Sequence, residues 1–157
     1  MGRYRCEKSY DSLEELVLDP KIDAVALFTE GPAHAKHTLL CFEHGKHVFV
    51  AVPAVMSLEE AEQVKAAKER SGLKYMMAET SYYRWPTIRM RELFAQGALG
   101  EIVYCEADYY HPGIGYSTDA HSTRDGARTW RWGLPPMLYP THCTGFLVGV
   151  TRERLVK

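Results

Sequence analysis

The stretch "GKHVFVAVPAVMSLEE", residues 45–60, decides the fold. Its first part, His47 to Val52, is an apolar run that stops at Pro53, as a buried strand does. Its last part, Ser57-Leu58-Glu59-Glu60, is a capping box, in which a serine oxygen and a glutamate satisfy free amides at the start of a helix. A buried strand followed by a capped helix is typical of an α/β protein. Because ligands bind at the carboxyl ends of such strands, Ala51-Val52-Pro53 form the first candidate site.

The same alternation of helix and strand continues on both sides of this stretch. A second capping box, Ser12-Leu13-Glu14-Glu15, predicts a short helix that Asp19-Pro20 ends. Further helices are predicted over about 33–44, which Gly45 closes, and from Leu58 to Gly72. The predicted strands are 23–28, 47–52 and 74–78. Strands buried on both faces and joined through helices predict right-handed crossovers and a doubly wound parallel sheet.

The pattern changes in "GALGEIVYCEADYYHP", which starts at Gly97. Apolar and polar residues alternate over 101–110, and this predicts a strand with one buried face, in a different sheet from the first three. A helix is predicted before it, over about 86–96, and another over about 139–149. We therefore expect a domain at 1–80 that contains the parallel sheet, and at 81–157 the beginning of an α+β domain with a mostly antiparallel sheet.

Composition excludes several classes of function. Nineteen basic and twenty acidic side chains give a net charge of −1, and no basic run is long enough to indicate nucleic-acid binding. No apolar run reaches the length of a membrane span, and the N-terminal sequence lacks the apolar core of a signal peptide. The four cysteines contain no C-x-x-C pair, which argues against a zinc site or a disulfide framework. We expect a cytoplasmic protein with reduced thiols.

Three segments in the same order carry a family resemblance: "IDAVALFTEGPAHAKHTLLCFEHGKHVFVAVPAVMSLEEAEQV", "GALGEIVYCEADYYHP" and "PPMLYPTHCTG". From about Tyr10 to the C-terminus, the chain resembles the glucose–fructose oxidoreductase and inositol dehydrogenase (Gfo/Idh/MocA) family of NAD(P)-dependent oxidoreductases. The resemblance implies a partial Rossmann-like domain and the start of a second domain, with nicotinamide and substrate meeting between them. It also implies NAD or NADP as cofactor and a sugar, polyol or related small polar molecule as substrate.

The resemblance assigns site residues by position. Thr29, Gly31 and His34 match a loop that lies along the dinucleotide, and Ala51-Val52-Pro53 match a Glu-Lys-Pro motif beside the nicotinamide. Glu79 is assigned to the cofactor side as well. His142, in "YPTH", matches the histidine of the second-domain motif, and its ordinary pKa near 6.5 suits proton transfer.

The sequence departs from the family pattern at two of these positions. Val52 stands where the family has lysine, and valine cannot take the proton that leaves an alcohol as hydride is transferred. The acidic residue expected a few positions before His142 is not evident. Either His142 acts with other partners, such as Tyr83, Arg84 or Tyr110, or the usual oxidation is not catalysed.

The glycine-rich turn G-x-G-x-x-G, which brings a pyrophosphate to a helix N-terminus, does not occur in these 157 residues. We therefore expect the chain to correspond to the truncated central portion of a longer enzyme, lacking the first βαβ unit and most of the C-terminal sheet, and to bind dinucleotides weakly. Exposed strand edges would then favour a homo-oligomer. Two functions remain open: an oxidoreductase, or a non-catalytic relative that acts as an interaction or self-associating module.

Histidines at 34, 37, 44 and 47 include two H-x-x-H spacings, and one pair could share a helix face. No acidic or cysteine partner follows at a matching spacing, so we expect no metal site. His34 is instead predicted to be a loop histidine that hydrogen-bonds to backbone near a cofactor groove.

Overall fold

A computed structural model describes residues 8–110, 123–134 and 140–153. The chain divides into two compact units, residues 1–77 and residues 78–157. The domain boundary predicted after residue 80 stays a prediction. The two units are described one after the other.

The first unit is a three-stranded parallel sheet with helices between its strands. Its elements are α1 (Leu13–Val17), β1 (Ala24–Leu27), α2 (His34–Glu43), β2 (His47–Val50), α3 (Leu58–Ser71) and β3 (Tyr75–Met77). The strand order is β1-β2-β3, and both neighbouring pairs are parallel. The predicted parallel sheet is confirmed, and each strand is two residues shorter in total than predicted.

The two predicted capping boxes start their helices as expected. The hydroxyl of Ser12 accepts from the amide of Glu15, and the hydroxyl of Ser57 accepts from the amide of Glu60, each at 3.1 Å. Glu60 returns a bond by accepting from the Met56 amide at 2.6 Å. Gly72 ends α3 with a φ of 67°, a left-handed conformation that glycine adopts without strain.

The core of the first unit lies on one face of the sheet. Alternate residues of β1 and β2 are buried there against side chains of all three helices: Val17, Val25, Leu27, Ala35, Cys41, Phe42, Val48, Val50 and Val64. On the opposite face, Ala24 and Ala26 are exposed. The expectation of strands buried on both faces is therefore wrong for this unit, because its described helices all pack against the same face.

A lysine side chain is buried in this unit. Lys46 is 7% exposed, and its Nζ donates to the carbonyl oxygens of Asp19 and Ile22 at 2.8 and 2.7 Å. Both carbonyls lie in the connection between α1 and β1. The lysine therefore attaches that connection to the chain just before β2.

The described residues of the second unit include two helices that pack against each other and a short antiparallel hairpin. The elements are a 3-10 turn (Thr80–Tyr83), α4 (Trp85–Ala95), β4 (Thr123–Arg124), β5 (Ala127–Arg128) and α5 (Thr141–Thr151). The Arg91 guanidinium of α4 donates to the carbonyl oxygens of Gly149 and Tyr82. These bonds join both helices to the 3-10 turn.

The prediction of a strand over 101–110 is wrong. These residues carry no secondary structure, and Val103, Tyr104 and Tyr110 are exposed by 89%, 75% and 87%. A strand needs a hydrogen-bonded neighbour, and none of the described residues supplies one here. The antiparallel pair lies instead at 123–128.

Candidate functional site

The loops that follow β1 and β2 are joined by hydrogen bonds at the carboxyl end of the sheet. The Ala51 amide donates to the Leu27 carbonyl at 2.9 Å, which extends the ladder past the strand ends. The His34 ring lies between the loops, with Nδ1 2.7 Å from the Pro53 carbonyl oxygen and Nε2 2.9 Å from that of Thr29. The loops that contain Thr29, Gly31 and Ala51-Val52-Pro53 are therefore brought together within the first unit, whereas Glu79 lies in the second.

His34 is the first residue of α2 rather than a loop residue, and its side chain is 1% exposed. The predicted hydrogen bonding to backbone is present at both ring nitrogens. Since both partners are carbonyl oxygens, each bond requires a hydrogen on the ring nitrogen. A neutral ring can make one of these bonds and an imidazolium both. In either form the side chain fixes one loop against the other.

The other predicted site residues of these loops differ in burial and in hydrogen bonding. The Thr29 hydroxyl is 3.0 Å from Nδ1 of His37, and burial lowers the pKa of that histidine from its ordinary value. Gly31 is buried in a 3-10 turn that leads into α2. Ala51 and Val52 are half-buried, and neither side chain can take up a proton.

In the second unit, His142 and Glu79 form a buried pair. Nδ1 of His142 is 2.8 Å from Oε1 of Glu79, and the residues are 5% and 6% exposed. The Tyr109 ring lies against the imidazole, with centroids 4.2 Å apart. A carboxylate only accepts hydrogen bonds, so this contact places the hydrogen on Nδ1. In the neutral ring, Nε2 then carries the lone pair.

Local structure explains how the pair is placed. Glu79 precedes the 3-10 turn and caps it, because its Oε1 also accepts from the Ser81 amide at 2.8 Å. His142 is the second residue of α5, and Gly145 lies nearly one turn further along. A Cβ on Gly145 would lie 2.8 Å from Cγ of Glu79, so the absence of a side chain makes room for the glutamate.

The other predicted partners of His142 lie elsewhere. Tyr83 is about half exposed and packs on the Tyr82 ring, and the guanidinium of Arg84 lies 6.0 Å from the centroid of the Phe146 ring. The Tyr110 side chain is exposed, with its hydroxyl 3.5 Å from Asp108. Within the described part of the chain, none of these three side chains is hydrogen-bonded to His142. Their predicted roles stay predictions.

Sequence reasoning missed the pairing of Glu79 with His142. Glu79 was assigned to the cofactor side, and an acid was sought a few residues before the histidine. The carboxylate comes from 63 residues earlier in the chain. The only signal was a lone glutamate at the end of a predicted strand, where side chains of α/β proteins meet ligands.

In the described ranges, no helix combines the length and the apolar character needed to cross a bilayer. The same ranges hold no group of three or more histidine, cysteine, aspartate or glutamate side chains that could bind a metal ion.

The parallel sheet with paired loops at its carboxyl end defines a Rossmann-like α/β protein. Residues 2–79 match the sequence profile described as "Oxidoreductase family, NAD-binding Rossmann fold". Over residues 2–79, the chain therefore matches the Gfo/Idh/MocA family of oxidoreductases.

The chain is also similar to curated relatives and to solved structures. A glycosyl hydrolase family 109 protein of Shewanella baltica is 32% identical over 135 residues, which are 85% of this chain and 29% of the relative. The crystal structure of an NAD-binding protein from Listeria innocua is 27% identical, with a TM-score of 0.52 over 59% of this chain and 27% of that one. Scyllo-inositol dehydrogenase from Lactobacillus casei, solved with NAD(H) and scyllo-inositol, shares the fold at 22% identity and a TM-score of 0.55, over 59% of this chain and 27% of that one.

The chain spans about 29% of the length of the curated relatives that it matches. The aligned region covers most of this chain, so the likeness extends into the second unit. The family profile itself ends at residue 79.

Proposed function

We propose that this chain contributes to nicotinamide-dependent hydride transfer on a sugar, polyol, glycoside or related small polar substrate. The observation that carries the proposal is the buried contact between Glu79 and Nδ1 of His142 in a chain of an oxidoreductase family. Oxidation of an alcohol needs a base for its hydroxyl proton. A histidine with its hydrogen held on Nδ1 has its basic lone pair on Nε2.

The residues that would hold the cofactor are Thr29, Gly31 and Ala51-Val52-Pro53. They fit one part of a dinucleotide, because they lie at the carboxyl edge of a parallel sheet and His34 fixes their loops together. The glycine-rich turn that holds a pyrophosphate in this fold does not occur in the sequence. This supports weak binding of NAD or NADP by these 157 residues, and leaves the choice between the two cofactors open.

The chemical step assigns one role to this chain. A bound nicotinamide would supply the acceptor for the hydride that leaves the carbinol carbon. The hydroxyl proton passes to Nε2 of His142, and the electron pair of the broken O–H bond forms the carbonyl. Val52 takes no part in proton transfer, in contrast to the lysine that the family resemblance would place there. His142 is therefore the proposed base.

The substrate class rests on the named relatives. The chain is 32% identical to a protein named as a glycosyl hydrolase, a name that supports a sugar or glycoside as substrate. Such molecules offer the ring hydroxyl groups that hydride chemistry requires. The particular sugar is not part of the proposal.

A comparison of the wild-type chain with His142→Asn tests this function. Reduction of NAD and of NADP is followed at 340 nm with a panel of polyols, aldoses and methyl glycosides. We expect turnover with at least one compound and a decrease of about 10²- to 10⁴-fold in His142→Asn, since that is the usual contribution of general base catalysis. Equal rates in the two proteins, or no turnover with the whole panel, would contradict the proposal.

A second candidate is a non-catalytic, self-associating module. It is favoured by the exposed side chains of Val103, Tyr104 and Tyr110, in a segment that pairs with no strand among the described residues. An exposed segment of this kind can pair with a second copy and form a homo-oligomer. Sedimentation at micromolar concentration distinguishes the cases: a dimer or larger species supports self-association, and a sharp monomer boundary counts against it.

A further inference from the structure

We infer that Glu79 is the positioning residue of His142 and provides the carboxylate that the sequence lacks just before the histidine. Glu79 holds the hydrogen of the neutral ring on Nδ1, so that Nε2 is the basic ring nitrogen. This inference rests on the proposed function only for its consequence in catalysis. The arrangement itself is a property of the second unit.

The contact has the geometry of a carboxylate that orients a catalytic histidine. Nδ1 and Oε1 are 2.8 Å apart, and both side chains are almost fully buried. Away from water, an acceptor at this distance strongly favours the tautomer that carries hydrogen on Nδ1. When Nε2 gains a proton, the same carboxylate stabilises the imidazolium that forms, as in hydrolases with a histidine–aspartate pair.

The surroundings fix the glutamate as well as the histidine. Oε1 also accepts from the Ser81 amide at 2.8 Å, so the carboxylate is held by the turn that it caps. Oε2 is buried and has no hydrogen-bond partner among the described residues. A buried carboxylate oxygen without a partner is costly, so this conformation is held by the other contacts of the side chain.

Two glycines of α5 provide a matched pair of test positions. A Cβ on Gly145 would lie 2.8 Å from Cγ of Glu79, whereas a Cβ on Gly149 would lie 2.8 Å from Cγ2 of Thr87. Both positions are buried in the same helix, and the closest approach is equal. Only the first substitution displaces the glutamate. Gly145→Ala and Gly149→Ala therefore separate an effect on Glu79 from general damage to helix packing.

The test is the tautomer of the His142 ring, read from its nitrogen-15 chemical shifts in the full chain over a pH series. No substrate or cofactor is needed. In the wild type we expect the neutral ring to carry its hydrogen on Nδ1. Glu79→Gln retains an acceptor oxygen and should keep this tautomer, whereas Glu79→Met has a similar length but no acceptor and should lose it. Gly145→Ala should lose it and Gly149→Ala should keep it. The substitution Glu101→Gln, at an exposed glutamate of the same unit, controls for loss of charge.

A wild-type ring that carries its neutral hydrogen on Nε2 overturns the inference, and this outcome does not depend on the folding of any variant. Retention of the Nδ1 tautomer in folded Glu79→Met would overturn it equally. The catalytic consequence is measured separately, as a loss of at least tenfold in kcat with little change in KM for Glu79→Gln. If His142→Asn leaves turnover intact while the tautomer is as described, the proposed function fails and the positioning stands.

Discussion

In the first unit, the described core is a continuous set of apolar side chains from two strands and three helices. In the second unit, the buried side chains include Glu79, Ser81, Thr87 and His142, with Leu134 and Val150 as buried apolar residues. Apolar burial needs only the right pattern and volume, whereas each buried polar group needs a partner. Hydrophobic pattern therefore specifies most of the core of the first unit, where His34 and Lys46 are the buried side chains with hydrogen bonds described above. The second unit depends to a greater extent on individual hydrogen bonds.

The largest effect should follow from a cavity in the apolar core of the first unit. Leu27 is 2% exposed on β1, and Leu27→Ala should lower the free energy of unfolding by about 3 kcal/mol, the middle of the usual range for such a change. Leu58→Ala, at a position 81% exposed, should change it by less than about 0.5 kcal/mol. Urea denaturation of both variants measures the difference. Equal losses would contradict the described core.

A smaller effect is expected at the buried lysine of the same unit. Lys46→Met keeps the length of the side chain but removes the ammonium group that makes two hydrogen bonds. The carbonyls of Asp19 and Ile22 then lose this partner. The free energy of unfolding should fall by about 2 kcal/mol, as for a hydrogen bond that involves a charged group. Lys36→Met, on the exposed side of α2, is the control and should be nearly neutral. If the two variants are equally stable, the lysine does not anchor the connection.

In the second unit, the contribution of one buried hydrogen bond to stability can be measured with a substitution that keeps the volume of the side chain. The Thr87 hydroxyl donates to the Ser81 carbonyl at 2.8 Å, and Thr87→Val replaces it with a methyl group of similar size. A loss of about 1 kcal/mol is expected, since a buried carbonyl loses its donor. Thr80→Val, at an exposed threonine in the same turn, should change stability less. Calorimetric unfolding of both variants decides whether polar partners stabilise this unit.

The last prediction needs no mutation and compares the reactivity of one thiol from each unit. Cys41 in α2 is fully buried, and burial raises the pKa of its thiol to about 11, whereas Cys105 is exposed. Because the thiolate is the reactive form, iodoacetamide should modify Cys105 within minutes and leave Cys41 unmodified until the chain is unfolded. Peptide mass spectrometry of native and denatured samples measures both. Rapid labelling of native Cys41 would show that the first unit opens easily.

The sequence predicted the first unit well because its signals are local. The capping boxes at Ser12 and Ser57 lie beside the helices that they start, and the apolar runs coincide with β1 and β2. It predicted the second unit less well because its decisive contacts are remote. Alternation over 101–110 indicates which face of a strand could be buried, but not whether a neighbouring strand exists. No local spacing connects Glu79 with His142. The loop at Val52 was singled out from its place at a strand end and the loop at Thr29 from the family resemblance. The hydrogen bonds of His34 to backbone were predicted, but its position between the two loops was not.

If the paired loops after β1 and β2 belong to a nicotinamide cofactor site, a titration with NADH and NADPH should perturb their amide NMR signals. We expect saturable shifts centred on Thr29, Gly31 and Val52, with a dissociation constant well above micromolar because the sequence contains no G-x-G-x-x-G turn. His34→Ala should reduce these shifts, because it frees the two loops from each other. No shift in either loop at millimolar dinucleotide, or saturable shifts centred elsewhere in the chain, would exclude a cofactor site at these loops.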